Sequence, residues 1–188
     1  MRMVLTLAAA ATLTACASGG GSPEPELGPS SRVTTQAVQG LVGGTGIALV
    51  NNASASSSTI SGSVDITWSA LQSVYASLEI PLSMRDNEKK TLGNSAYRTR
   101  RRVGAVPMIR AFDCGGESGM PNAETYDITM EITSLVTPAP DGRARLQTLV
   151  QASARRPSGG NVSEVRCTSL GGLESKIAEM VEKIVAGK

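Results

Sequence analysis

The chain has 188 residues, with no histidine, three cysteines, one Trp, three Tyr and one Phe; its 18 Lys+Arg against 16 Asp+Glu leave a formal charge of +2. Without histidine there is no Ser-His-Asp or Cys-His site, no imidazole acid or base and no His-ligated zinc. So few aromatic rings make a base-stacking nucleic-acid surface hard to build, and the length fits one domain of ordinary size with a tail.

The N-terminus reads as an export signal. Met1-Arg2-Met3 carries a positive charge, and Val4 to Thr12 is an apolar run. That run is far short of the roughly 20 residues of a permanent bilayer helix, but suits a signal-peptide core. It leads into Leu13-Thr14-Ala15-Cys16, which resembles the lipobox of bacterial lipoproteins. The resemblance implies removal of residues 1–15 and acylation of Cys16, palmitate included, which would anchor the chain in a membrane of the cell envelope. Several acyl chains are needed for stable anchoring, because each buried methylene contributes only about 0.8 kcal/mol and one chain binds reversibly. Ala17, rather than Asp, follows the cysteine; by the same resemblance this points to the outer membrane, facing the periplasm.

With Cys16 assigned to lipid, Cys114 and Cys167 remain as an even pair in an oxidising compartment. A structural disulfide is the expectation. The alternatives are two free buried thiols or a redox pair, the latter opposed by a spacing that is not C-x-x-C.

Residues 17–31, built of Gly, Pro and Ser, form a tether with a mean span of about 20 Å. The single α+β domain is expected over 32–188, with its core at 59–186. Val33–Val38 and Gly46–Val50 lean towards strands around Gly43-Gly44, which without a following Gly-Lys-Ser/Thr reads as a turn and not as a phosphate loop. Ala53–Ser58 reads as a loop. Alternation at Ile60, Gly62, Val64 and Ile66 predicts a strand, and Trp68, Leu71, Val74, Tyr75 and Leu78 predict an amphipathic helix over 68–78. A short strand at Leu82–Asp86, a charged turn at Asp86–Lys90 and strands over 95–104 and 106–114 follow. Asp86 and Glu88 read as part of that solvated turn, not as a carboxylate dyad.

Two clean strands come next. Tyr126, Ile128, Met130 and Ile132 share one face, and Ala144, Leu146, Thr148, Val150, Ala152 and Ala154 share the inner face of the partner. Their alternate positions are polar and predict a wetted second face, as in an antiparallel sheet covered on one side. A short strand at 162–167 precedes Gly171-Gly172 and a last helix, whose apolar stripe is Leu173, Ile177, Met180, Val181, Ile184 and Val185. This helix is the available cover for the apolar sheet face, giving a helix-grip-like α+β fold.

Trp68-x-x-Leu71 after a strand, the Leu82–Asp86 strand, the strand hairpins and the closing helix after Leu173 resemble the small repeated domains found in a lipoprotein component of the bacterial β-barrel assembly machinery. The resemblance spans roughly residues 60–186 and implies a non-enzymatic interaction or assembly module. The alternative is a lipid or small apolar ligand bound between the last helix and the sheet.

One local cluster invites a binding role. In Tyr97-Arg98-Thr99-Arg100-Arg101-Arg102, strand geometry puts Arg98, Arg100 and Arg102 on one face. Such a stripe either solubilises an edge strand or contacts an anionic lipid, cell-wall or protein surface through bidentate arginines. Arg143, Arg145, Arg155 and Arg156 would extend it if their strands lie beside this one. No metal, cofactor or nucleic-acid partner is expected.

Overall fold

A computed structural model of the protein describes residues 55–157 and 164–187. The signal segment, Cys16, the tether and the runs at 33–50 lie outside the described residues. The elements are β1 (Ser56–Ile60), α1 (Val64–Ser77), β2 (Met84–Asp86), β3 (Thr91–Arg100), β4 (Arg102–Val103), β5 (Val106–Pro107), α2 (Met108–Ala111), β6 (Phe112–Asp113), β7 (Gly116–Glu117), β8 (Met120–Pro121), α3 (Asn122–Thr125), β9 (Asp127–Pro138), β10 (Ala144–Arg155), β11 (Val165–Ser169) and α4 (Gly172–Ala186). This is an α+β architecture with a large antiparallel sheet and a C-terminal helix.

The period-2 pattern of β9 and β10 sets the frame. The two strands pair over their full length, from Ala144 opposite Pro138 to Arg155 opposite Asp127. The register matches even-numbered residues, so Ile128, Met130, Ile132, Leu146 and Val150 fall on one face, where they are buried. The sheet runs β2-β3-β9-β10-β11-β6, and β1 pairs with β10 over residues 144–148, beyond the stretch taken by β11. Both longer helices pack on the even-numbered face. Leu71, Val74 and Tyr75 of α1 and Leu173, Ile177 and Val181 of α4 are fully buried in one cluster with the sheet residues. Burying each such large aliphatic side chain contributes about 1.5–3 kcal/mol.

Several boundaries differ from the sequence expectation. Ser56–Ser58 are not loop but strand, held by backbone pairing along the edge of β10. The strand expected over Ile60–Ile66 ends at Ile60, and the helix expected at 68–78 occupies Val64–Ser77. The helical stripe of buried Thr67, Trp68, Ala70, Leu71, Val74 and Tyr75 outweighs the short alternation, and Ile66 is left exposed. Asp65 sits in the first turn of α1, where the helix dipole favours a carboxylate. The strand expected over 106–114 is broken into β5, α2 and β6. Pro107, which has no backbone N–H to donate, caps the start of α2.

The second sheet face is not uniformly wetted. Thr133, Leu135, Thr137 and Gln147 are buried there. They lie mid-sheet, where Leu135 is flanked by Thr91 on one side and Gln147 on the other.

Candidate functional site

The placement of the arginines depends on one extra residue. Asn94 of β3 stands opposite Ile132 of β9, but Tyr97 stands opposite Met130, so Ser95 and Ala96 together face Glu131. This is a β-bulge, and it reverses the facing of everything that follows. Beyond it Tyr97 and Thr99 lie on the helix-covered side with Met130 and Ile128, while Arg98 and Arg100 lie on the open side with Thr129 and Asp127. In unbulged register, Arg98 would pair with Ile128 and point into the core. Asn94 holds the bulge: its Oδ1 accepts from the Ala96 N–H at 2.8 Å, and its Nδ2 donates to the Pro81 carbonyl at 2.6 Å.

Arg102 leaves the expected stripe. Strand β3 ends at Arg100, Arg101 takes a positive φ of 69°, and Arg102 begins the separate β4–β5 hairpin. Three consecutive outward arginines on one strand are thereby reduced to Arg98 and Arg100. Arg100 is itself engaged, with its Nε 3.8 Å from Asp127 and its guanidinium donating to the Thr125 carbonyl at 3.1 Å.

The arginines in and beside β10 divide between its two ends. Arg143 pairs with Asp141 in the β9–β10 turn, and its hydrogen bond to Asp141 holds that carboxyl below the usual range. Arg145 lies near the same end, opposite Thr59 and Thr137. Arg155 is at the other end, across β9 from Arg100 with Asp127 between them. There Arg98, Thr99, Asp127, Thr129, Arg155, Arg156, Pro157 and Glu164 line an open groove of about 690 Å³. Its floor is the outward side of β9, and β3 and β10 form its walls.

Arg156 is fixed in place by a small network. It pairs with Glu117 of β7, lies 5.9 Å from the Tyr126 ring centroid, and shares Glu117 with the Tyr126 hydroxyl, which donates to that carboxylate at 2.8 Å. The Ser153 hydroxyl donates to Glu164. Among the described residues, the side chains of Arg98 and Arg155 have neither a hydrogen-bond nor an ion-pair partner, and both residues are exposed. Sequence reading found the arginines but not Asp127, Thr129 and Glu164. For Asp127 and Thr129 the signal is the set of outward positions on β9, legible only once β9 is placed between β3 and β10; Glu164, just before β11, has no such pattern.

Cys114, just after β6, and Cys167, in β11, are joined by a disulfide across the far edge of the sheet. Asp86 caps its own turn, with Oδ1 accepting from the N–H groups of Glu88 and Lys89 at 3.0 and 2.9 Å. Among the described residues, no three His, Cys, Asp or Glu side chains are grouped to hold a metal ion, and no helix is long and apolar enough to cross a membrane.

No protein-family model matches the chain, and comparison with curated proteins finds no match.

Proposed function

We propose that the protein is a lipid-anchored bacterial envelope lipoprotein, held at the outer membrane facing the periplasm, that acts as a non-enzymatic interaction or assembly module. The observation that carries this reading is Leu13-Thr14-Ala15-Cys16 directly after a charged start and a short apolar run. The absence of histidine removes the commonest acid–base and nucleophile-activating group. A helix-grip-like description suits a sheet with α1 and α4 on one face. The opposite face then offers the arginine-lined groove as the interacting surface. The alternative, an apolar ligand between α4 and the sheet, competes with Leu173, Ile177 and Val181, which already fill that layer.

The test is metabolic labelling with an alkyne palmitate, followed by membrane fractionation. Labelled, membrane-bound protein that becomes unlabelled and unanchored in Cys16→Ser supports the reading. Absence of label in the unaltered chain, or label retained by the variant, sinks it. Crosslinking in intact cells followed by pull-down then tests the module role, through one partner captured reproducibly and lost when the groove arginines are replaced.

A further inference from the structure

We infer that the groove between β3 and β10 binds a single phosphate group that carries neighbouring hydroxyls, as in a glycerol phosphate. This deepens the interaction-module reading and rests on its choice of the open sheet face, but not on acylation of Cys16. Arg98 and Arg155 stand on either side of β9, about 10 Å apart across the sheet and offset by about 7 Å along it. Both line the same groove, and their guanidinium groups are not committed to other described residues. A carboxylate is satisfied by one guanidinium fork, whereas the non-bridging oxygens of a phosphate accept from two.

The acidic groups narrow the ligand further. Asp127 is paired with Arg100, and Glu164 accepts from Ser153, yet both carboxylates line the groove beside the Thr129 hydroxyl. Carboxylates accept hydrogen bonds from hydroxyl groups and repel additional negative charge. One phosphate flanked by hydroxyls therefore matches the lining, and a polyanion such as a nucleic acid or polyphosphate does not. The same chemistry occurs in a soluble polyol phosphate and in the head group of phosphatidylglycerol.

Isothermal titration of the full chain in detergent micelles with sn-glycerol 3-phosphate tests the inference, with Arg98→Ser, Arg155→Ser and Arg98→Lys alongside. The expected result is saturable binding, weakened at least tenfold by either serine substitution and partly restored by lysine. Arg102→Ser, on the separate hairpin, leaves binding unchanged. Adding phosphatidylglycerol to the micelles distinguishes the sources: competition, absent with phosphatidylcholine, identifies the lipid head group, and no competition identifies the soluble compound. No saturable binding, or binding that survives both serine substitutions, overturns the inference. Thermal unfolding of each variant checks that these exposed substitutions leave the fold intact. Palmitate labelling of the same preparation reports separately on the anchor, so failure of one reading is not confused with failure of the other.

Discussion

The Tyr75 hydroxyl lies 2.9 Å from the Ser134 hydroxyl, which in turn lies 2.9 Å from that of Thr148. The three side chains come from α1, β9 and β10, and all are buried. Ser134 stands directly opposite Thr148 in the β9–β10 ladder, and Tyr75 reaches it from the helix layer. Burial pushes the Tyr75 hydroxyl well above its ordinary pKa, so it stays neutral at all working pH. The chain of hydroxyls gives each polar group a partner inside an otherwise apolar layer and fixes how α1 sits on the sheet.

Ser134 is the shared member, so its removal is expected to cost more than removal of either neighbour. Ser134→Ala leaves the Tyr75 and Thr148 hydroxyls buried without their common partner and is expected to lose about 1–3 kcal/mol. Tyr75→Phe removes one bond and leaves Ser134 paired with Thr148, for a loss of about 1 kcal/mol. Urea unfolding of both single variants and the double variant checks this. A double variant no less stable than Ser134→Ala alone is the expected non-additivity.

Asn94 carries a second testable relationship, because its side chain holds the bulge that turns Arg98 outward. Asn94→Ala removes the bonds to Ala96 and Pro81 and is expected to cost about 1–3 kcal/mol. Asn94→Asp keeps the acceptor for the Ala96 N–H but turns a charged carboxylate oxygen towards the Pro81 carbonyl at a buried site, so at neutral pH it should cost at least as much as Asn94→Ala. Denaturant midpoints check the order. An Asn94→Ala variant as stable as the unaltered chain would show that the bulge holds without its side-chain tether.

Long periodic patterns were legible in the sequence, and short-range interruptions were not. The inner faces of β9 and β10 follow directly from Ile128, Ile132, Leu146 and Val150, because alternation sustained over Tyr126–Thr133 and over Ala144–Ala154 has no competing reading. Gly171-Gly172 was legible as the entry to α4. The physical cause is visible in the fold: Gly171 has a φ of 76°, and a Cβ on Gly172 would lie 2.1 Å from the Arg110 carbonyl oxygen. The bulge at Ser95–Ala96 has no comparable signature, yet it decides which way two arginines face. Arg102 departs from the stripe for a related reason: the alternation continues through Arg101 in the sequence, while the backbone turns there. The groove needed β9 between the two arginine strands, and strand order is a tertiary fact.

Glu182 ties α4 to the β1–α1 junction by accepting from the Ser61 N–H at 2.9 Å. Hydrogen bonding to Ser61 lowers its pKa, with a smaller contribution from the charge of Arg143. A carboxyl whose folded pKa is depressed adds stability that is fully present above its unfolded value, about 4.3 for Glu, and is lost as pH falls through the lower folded value. Glu182→Gln is therefore expected to be less stable than the unaltered chain at neutral pH, with the difference shrinking below about pH 4. Urea unfolding over a pH series checks this. A gap that stays constant into acid would mean that the carboxylate charge contributes nothing there.

The Cys114–Cys167 disulfide closes a 53-residue separation that contains β7 to β10 and so staples the β6 edge to β11. For a loop of that length the chain-entropy account gives about 4 kcal/mol, and measured values for native disulfides run at about 2–5 kcal/mol. Cys114→Ala with Cys167→Ala is therefore expected to lower stability by about 2–4 kcal/mol. The loss should begin at the edge. Strand β6 pairs with β11 only at Phe112 and Asp113, and β7 and β8 form a separate two-residue hairpin beyond it. Without the covalent link, amide hydrogen exchange should rise first over residues 112–121, while β9 and β10, paired along their whole length, keep their protection. Exchange measured on the double variant and on the unaltered chain reads both effects. Uniform loss of protection across β9, β10 and the β6–β8 segment would instead show that the disulfide supports the fold as a whole and not its edge.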